Sequence, residues 1–246
     1  PEMREKFAPA IEQHQLHREI LATKIANRLG NRLGMVHPYE LAEEEGAALG
    51  DIASMFVAAE RLFGLRELWA DIDAAPMTET ARIALLGALA VGVRAQMADL
   101  LRATDPGALP GALVERLGPG VARLGVNLEN LLEEEAQAAS ANLSRRLVEA
   151  GAPAELVRRV ARLYEMDGAV GLASLGVETG TDEVVLTRAF TALGEALGLD
   201  WAQATANRLS PSDPWERLLA AGLARDFQQM RLDFLARAGG QDPQAF

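Results

Sequence analysis

Two residue types in this chain, histidine and glutamate, occur at spacings that are compatible with a metal-binding site. His14 and His17 lie three residues apart, so on a helix they would share a face and could bind a metal together with a carboxylate. No glutamate lies on that face at the next turn, and we interpret both residues as partly exposed histidines. Glu129 and Glu133 would converge on a helix, but helical-bundle metal sites also need Glu-x-x-His pairs, which this sequence lacks.

The other candidates for chemistry are weaker. The glutamate runs 43–45 and 133–135 fan around a helix, and we interpret them as solvated faces. The glycines of 118–125 resemble a phosphate-binding loop only superficially, because Pro119 lacks a donor N–H and no strand precedes them. No serine lies in a G-x-S-x-G elbow, and the absence of cysteine excludes disulfides and thiolate sites. We therefore predict no catalytic, cofactor-binding or metal-ligating residue in this chain.

A polar and basic stripe stands out in a chain whose formal net charge is −11. Its members lie three or four residues apart on one predicted helix: Lys24, Asn27, Arg28, Asn31 and Arg32. Asparagine is a poor interior helix residue unless its side chain has partners, so the stripe indicates an engaged surface. Two interpretations stay open, namely pairing within the chain with the glutamates of 43–45, or a docking face for another stretch of protein.

The segment 41–56 has the spacing of a helix-turn-helix corner, with Ala42, Gly46 and Ile52 at the small, glycine and aliphatic positions. Residues 51–63 would then form the recognition helix. The candidates for its exposed positions are Asp51, Ser54, Ala58 and Glu60. None of these is a good reader of base edges, and residues 35–75 carry nine acids against two bases. We predict no nucleic-acid binding.

The elements that position these residues are predicted to be helices throughout. Apolar residues recur at helical spacing, no segment alternates as a strand would, and an N-cap at Thr181 or Asp182 predicts a helix running to about Leu197. Two long helices are expected, at about 78–103 and about 120–150, with glycine and proline marking boundaries at places that include 118–120. The alternative for the first is a helix broken at Gly87 or Gly92.

The predicted fold is all-α, with two small helical clusters joined by a long antiparallel helix pair. In one helical unit of residues 1–246, the subregions would be 1–75, the pair 76–150 and the terminal cluster 151–246. A heptad-like seam is expected on the first long helix, formed by Ile83, Leu86, Ala90, Val93, Met97 and Leu100. Two similar corners are expected as well. Each has a phenylalanine eight residues before a glycine and then a packed tryptophan: Phe56, Gly64 and Trp69, and Phe190, Gly198 and Trp201.

Composition sets the expected compartment. Apolar residues make up 49% and charged residues 24% of the sequence, which is typical of a globular protein, and no uninterrupted run of 18 apolar residues occurs. We expect a cytoplasmic protein that does not enter a membrane. The chain begins with proline instead of methionine, which favours a piece of a longer polypeptide.

Three segments together resemble a known family. They are "HREILATKIANRLGNRLG" (17–34), "ELAEEEGAALGDIASMFVAAERLFGLRELWADID" (40–73) and "FTALGEALGLDWAQATANRLSPSDPWERLLAAGLARDFQQMRLDFLARA" (190–238). They are similar to the C-terminal helical region of the large bacterial NAD-specific glutamate dehydrogenases, and the similarity is weaker over 76–150. That family oxidatively deaminates L-glutamate to 2-oxoglutarate and ammonium with NAD.

The resemblance implies that NAD binding and catalysis belong to a parent polypeptide upstream of this region, because none of the family's catalytic or dinucleotide-binding motifs occurs here. This chain would be a structural or regulatory domain. Its partners would be the catalytic region of the same polypeptide and the other subunits of a homo-oligomer. The alternative is a stand-alone helical adaptor that uses the corner at 41–63, and DNA binding is a third reading.

Overall fold

The computed structural model describes residues 7, 10, 13–127, 134–209 and 212–238, and in these residues the regular structure is helical without a strand. This confirms the all-α class. Twelve helices lie in the described residues: α1 (His17–Leu33), α2 (Val36–Glu45), α3 (Leu49–Leu62), α4 (Leu65–Ala74), α5 (Glu79–Arg102), α6 (Pro110–Asn127), α7 (Glu134–Glu149), α8 (Ala154–Glu165), α9 (Ala169–Thr179), α10 (Glu183–Leu197), α11 (Leu199–Arg208) and α12 (Pro214–Arg237).

Local capping chemistry sets where several helices begin. Asp182 accepts hydrogen bonds from the amides of Val184 and Val185, at 2.9 and 3.3 Å, and α10 then runs to Leu197 as predicted. Asp213 caps α12 in the same way, and Thr78 caps α5 through the amide of Ala81. Each cap pairs an amide that has no partner inside the helix.

Helix α5 is continuous from Glu79 to Arg102, so the first long helix is confirmed and the alternative, a helix broken at Gly87 or Gly92, is wrong. The seam is only partly confirmed, since Val93, Met97 and Leu100 are buried whereas Ile83 is 63% exposed. By length and composition α5 could cross a membrane, and it is the only helix in the described part that could. More than half of its most apolar stretch is buried in this fold, as in the core helix of a globular domain.

The second long helix is not confirmed as predicted. Helices α6 and α7 flank residues 128–133, which lie outside the described residues together with Glu129 and Glu133. The predicted boundary at 118–120 is wrong, because these residues lie inside α6. Burial of Leu117 and Val121 on either side of Pro119 favours continuing the helix despite the lost backbone hydrogen bond. Gly120 serves packing, since a Cβ there would lie 2.9 Å from the Cβ of Ala173 on α9.

The predicted antiparallel pair between two clusters is not confirmed either. Helix α5 packs mainly against α3 and α8, while α6 packs mainly against α9 and α3. Most of the buried apolar side chains form one connected core that extends from Leu33 on α1 to Leu235 on α12. Burying the stripes of several helices against a shared central helix is more favourable than leaving a long pair exposed between two clusters. The division into three subregions stays a prediction.

The two predicted corners differ in what covers them. At the first, Gly64 takes a left-handed φ of 62°, and the buried rings of Phe56 and Trp69 lie 5.8 Å apart between centroids, as expected. At the second, Gly198 also takes a left-handed φ, of 66°, but Trp201 is 67% exposed. The predicted packing of Trp201 is therefore wrong, because α12 packs on α10 and α11 but leaves this tryptophan uncovered.

Candidate functional site: the outer face of α1 and a buried charge cluster

Helix α1 is attached to the body through its carboxyl-terminal half. Leu33 is buried and Ile25 and Leu29 are half-buried against the core, where α1 packs on α2, α3 and α5. In contrast, every residue from Arg18 to Lys24 is exposed. The amino-terminal turns of α1 therefore project from the body.

Arg28, one of the predicted docking residues, pairs inside the molecule. Its guanidinium forms an ion pair with Glu60 of α3 and lies 5.9 Å from the ring centroid of Phe56. The Glu60 side chain is 1% exposed, and its other cationic neighbour is Arg66, at 3.6 Å. Arg28 therefore compensates the negative charge of a buried carboxylate. Removing such a cation destabilises the fold, because the carboxylate stays buried without its partner.

Arg32 pairs in a similar way but closer to solvent. Its two terminal nitrogens donate to the two oxygens of Asp73 at 3.3 and 2.9 Å, and its guanidinium lies 5.5 Å from the ring centroid of Trp69. The Asp73 side chain is 47% exposed, so this fork-shaped pair orients α1 more than it stabilises the fold.

The remaining predicted docking residues, Lys24, Asn27 and Asn31, are exposed. With Leu16 and Ile20 they recur at spacings of four, four, three and four, which places all five on one side of the helix, opposite the side that packs on the core. We name these five residues the outer face of α1. The exposed fractions of its apolar members are large, 49% for Leu16 and 52% for Ile20.

Of the two interpretations left open for the stripe, pairing with the glutamates of 43–45 is therefore wrong, because the paired arginines have other partners. Two of the five residues pair within the chain, and they do so with Glu60 and Asp73. Glu44 and Glu45 have other partners, described below. The docking role of the stripe stays a prediction, and its outward part is the outer face of α1.

The corner at 41–56 has the predicted helix–turn–helix shape. Helix α2 ends before Gly46, which has a left-handed φ of 60°, and α3 begins at Leu49. Two of the four residues expected to be exposed on a recognition helix, Ala58 and Glu60, are buried, because α3 packs between α5 and α6 in the core. A helix enclosed in this way cannot insert these side chains into a DNA groove.

Glu44 and Glu45 were predicted to form a solvated face, and the structure contradicts this. Their side chains are 2% and 6% exposed, since both turn toward arginines of α5 and α12. Glu44 pairs with Arg94, and its other oxygen accepts from Arg225 Nε at 3.0 Å. Glu45 accepts from Arg102 Nε at 2.7 Å. The signal in the sequence is that Arg94 and Arg102 lie about two turns apart on a largely apolar helix.

Asp99 extends this charge cluster into the core. The residue is 7% exposed, and its Oδ2 accepts a hydrogen bond from the amide of Gly168 at 3.0 Å. Burial and then the nearby Asp167 carboxylate raise the pKa of Asp99 to about 7, although Arg225 and Arg102 act in the opposite direction. Burial raises the pKa of Asp167 as well, but Asp167 is the more exposed residue of the two, so we assign the retained proton to Asp99.

A polar cleft of about 320 Å³ lies beside Asp99, between α5, α9 and α12. Its charged lining is mixed in sign, with Arg102, Arg116 and Arg225 set against Asp99, Glu178 and Asp233. Several of these groups already bind protein atoms: Arg102 pairs with Glu45 and Asp226, and Arg116 donates to the carbonyl of Ala103. These charges therefore mainly tie helices together.

A separate ion pair, outside this cluster, links α6 to the start of α10. Arg123 donates to both carboxylate oxygens of Glu183, at 2.8 and 2.5 Å. The Glu183 side chain is 4% exposed, and the hydrogen bonds from Arg123 hold the pKa of that carboxyl below its ordinary value.

The histidine pair does not share a helix face. His14 precedes α1, and its Nδ1 accepts from the amide of Leu16 at 3.1 Å, while His17 is the first residue of the helix. Within the described ranges, no three His, Asp or Glu side chains are grouped so that they could hold a metal ion. The glutamate pair 129 and 133 lies outside those ranges.

Comparison with known proteins gives consistent matches along the chain. The family described as "Glutamate dehydrogenase, C-terminal" matches residues 1–238. The NAD-specific glutamate dehydrogenase of Pseudomonas aeruginosa is 30% identical over 247 residues, covering 95% of this chain and 14% of the relative. Those of Halomonas elongata and Mycobacterium tuberculosis are 27% and 25% identical, over 97% and 91% of this chain. The chain thus spans only about one seventh of the length of these relatives.

Proposed function

The chain belongs to the family of glutamate dehydrogenase C-terminal regions, and from this premise we propose that it is a non-catalytic structural or regulatory domain of an NAD-specific glutamate dehydrogenase. The parent enzyme would oxidatively deaminate L-glutamate to 2-oxoglutarate and ammonium with NAD, in the part of the polypeptide that this chain does not span. The family match over residues 1–238 favours such a domain over a stand-alone adaptor.

The outer face of α1 is the observation that carries the proposal. In the first two turns of α1 every residue after His17 is exposed, and an isolated helix of that length is only marginally stable in water. Leu16 and Ile20 are half-exposed there, next to Lys24, Asn27 and Asn31. An apolar pair followed by amide and ammonium donors has the mixed character of a protein–protein contact.

We assign the outer face of α1 to the catalytic region of the same polypeptide. In a C-terminal region of a longer enzyme, the preceding chain enters at α1, so the catalytic region is the protein closest to this helix. Tethering makes such a contact effectively intramolecular, and a modest apolar surface is then enough to hold it. Docking of this kind would fix the position of the whole helical domain, because Arg28 and Arg32 anchor α1 to α3 and α4.

A second exposed apolar face lies on α12 and is available for other subunits of a homo-oligomer. Its members recur at helical spacing and are 43–73% exposed: Trp215, Leu219, Leu223, Met230 and Phe234. Exposed apolar faces of this length typically mark protein contacts. The proposal therefore gives the domain two contact surfaces, α1 toward its own catalytic region and α12 toward a neighbouring subunit.

The proposal can be tested by complementation in trans. A parent enzyme truncated before this region is mixed with the separate domain, and binding, oligomeric state and glutamate-dependent NAD reduction are measured. We expect the domain to bind and to change activity or assembly. Ile20→Asp should weaken binding at least tenfold, whereas Val185→Asp, an equally exposed β-branched residue on α10, should not. Absence of binding by the unmodified domain would contradict the proposal.

A further inference from the structure

A carboxyl group is enclosed where three parts of the fold meet beneath α12. Asp99 of α5 accepts the amide hydrogen of Gly168, which lies in the turn between α8 and α9 with a left-handed φ of 79°. The side chain of Gln228 on α12 packs directly on that glycine, since a Cβ at Gly168 would lie 2.5 Å from its Nε2. Gln228 is itself 6% exposed. Helix α12 thus covers the site that contains the Asp99 carboxyl.

The charged groups around Asp99 come from every element that meets there. They are Arg102 on α5, Asp105 after α5, Arg116 on α6, Asp167 in the turn, Glu178 on α9, Glu44 and Glu45 on α2, and Arg225, Arg231, Asp226 and Asp233 on α12. Arg225 is the cation of α12 that most favours the ionised form of Asp99. Its guanidinium also pairs with Glu44 at 3.0 Å and with Glu45 at 3.8 Å. Its attraction for Asp99 is therefore divided.

The balance of these effects disfavours the ionised form of Asp99. Burial is the largest cause and the Asp167 carboxylate adds to it. Together they outweigh Arg225, the hydrogen bond from the Gly168 amide and Arg102, so the pKa of Asp99 is raised to about 7. A carboxylate that is reached by water would have a pKa nearer to its ordinary value. The polar cleft borders Asp99 on one side and Gln228, Gln229 and Leu232 of α12 on the other, so outward movement of α12 would widen an existing opening.

We propose that the Asp99 carboxyl is a proton-controlled lock on α12: in its protonated form it allows the helix to pack over it, and in its ionised form it favours a state in which α12 separates and water reaches the carboxylate. The direction follows from linkage, because the state with the lower pKa gains population as the proton is lost. The inference concerns this chain alone and does not depend on the proposed docking of α1.

The absence of cysteine from the sequence allows a clean test. A single Ala224→Cys substitution places a thiol on the buried side of α12, where the native residue is 5% exposed. Its rate of alkylation is measured from pH 5.5 to 7.5 and divided by the rate at Leu219→Cys, which is exposed on the same helix and corrects for thiolate formation. We expect the corrected rate to rise on the order of tenfold over this range and to level off above pH 7.

Matched variants distinguish the proposed lock at Asp99 from a general loosening of the fold as the pH rises. Asp99→Asn keeps an oxygen acceptor for the Gly168 amide but cannot ionise, so the rise should disappear, while Glu216→Gln, which changes an exposed acid in the first turn of α12, should retain it. A second reporter, Leu235→Cys, should behave as Ala224→Cys does, and Ala58→Cys in α3 should show no rise. A flat profile in the unmodified background, a rise that persists in Asp99→Asn, or an equal rise at Ala58→Cys would overturn the proposal.

Discussion

Arg225 on the last helix donates a hydrogen bond from Nε to Oε1 of Glu44 on the second helix, at 3.0 Å and across 181 residues of sequence. Both side chains are largely enclosed, with 12% and 2% of their surfaces exposed. Arg94 of the central helix pairs with the same carboxylate. One buried glutamate therefore joins the beginning, the middle and the end of the described chain.

Removing Arg225 should be costly for this reason. Arg225→Ala leaves Glu44 with Arg94 alone and removes the second cation of Glu45, so we expect a loss of about 3 kcal/mol in the free energy of unfolding. Urea denaturation followed by circular dichroism measures it. Arg158→Ala is the matched control, since Arg158 and its partner Glu155 are 75% and 70% exposed, and its effect should stay within about 0.5 kcal/mol. Equal losses for the two variants would contradict the assigned role of Arg225.

The two arginines of α1 should differ in the same way. Arg28→Ala should destabilise the chain by about 2 kcal/mol because it leaves the buried Glu60 carboxylate with only the more exposed Arg66, at 3.6 Å. Arg32→Ala should cost at most about 1 kcal/mol, because Asp73 can be solvated when its partner is lost. Denaturation midpoints of both variants are to be compared with that of Arg28→Ala combined with Glu60→Gln, which should recover part of the loss. A larger loss for Arg32→Ala than for Arg28→Ala would refute this ranking.

The asparagines on the outer face of α1 should show opposite effects on stability and on docking. Asn27→Ala combined with Asn31→Ala replaces exposed, poor helix formers and should raise the free energy of unfolding of the isolated chain by up to about 1 kcal/mol. In the proposed complex with the truncated parent enzyme, the same variant should bind more weakly, which calorimetry or light scattering can measure. Asn142→Ala, on the exposed side of α7, is the control and should leave binding unchanged. Unchanged binding by the double variant would remove these two residues from the contact.

Local features of this fold could be read from the sequence because their causes are local. The span of α5 follows from apolar spacing and the Thr78 cap, and α10 follows from Asp182, whose carboxylate binds two amides within three residues. The left-handed glycines at both corners were also predictable, since Gly64 and Gly198 stop helices in the usual way.

Whether a side chain is covered depends on distant elements, and these predictions failed. The same local pattern leaves Trp69 buried and Trp201 exposed, because other helices cover Trp69, whereas α12 packs on the second corner without covering Trp201. Glu44 looked like a member of a solvated run, but its partner Arg225 lies 181 residues away. Sequence spacing placed Arg28 and Arg32 beside Asn27 and Asn31 correctly, yet only the fold separates the inward pair from the outward pair.

Two glycines within helices should respond to alanine with opposite signs. Gly120→Ala would place a Cβ 2.7 Å from Oε1 of Glu183 and 2.9 Å from the Cβ of Ala173, so α6 and α9 must separate, and we expect a loss of about 1–3 kcal/mol. Gly87→Ala meets nothing within 4 Å on the exposed side of α5 and should stabilise the chain by about 0.5–1 kcal/mol. Thermal and urea denaturation measure both. Stabilisation by Gly120→Ala would mean that the α6–α9 contact is looser than the structure shows.

The pH dependence of stability should separate Asp99 from the other carboxylates. The folded chain keeps the Asp99 proton up to about pH 7, whereas the unfolded chain releases it near the ordinary value of 3.8. The folded state therefore binds more protons between these two values, and the contribution of Asp99 to stability falls as pH rises through this window and is constant above it. Between pH 5.5 and 8.5 the expected fall is about 2 kcal/mol.

Asp99→Asn should abolish that fall, so the difference in unfolding free energy between the two proteins should grow in favour of the variant from pH 5.5 to 8.5. Glu183 provides the contrast, because its lowered pKa gives stability that is present above the ordinary carboxylate range and is lost only as pH falls below it. The two carboxyl groups thus change the free energy of unfolding in separate pH ranges and with opposite signs. Urea denaturation at pH 5.5, 6.5, 7.5 and 8.5 measures the difference. If it does not change with pH, Asp99 is already ionised across this range, and the charge cluster around Arg225 compensates it fully.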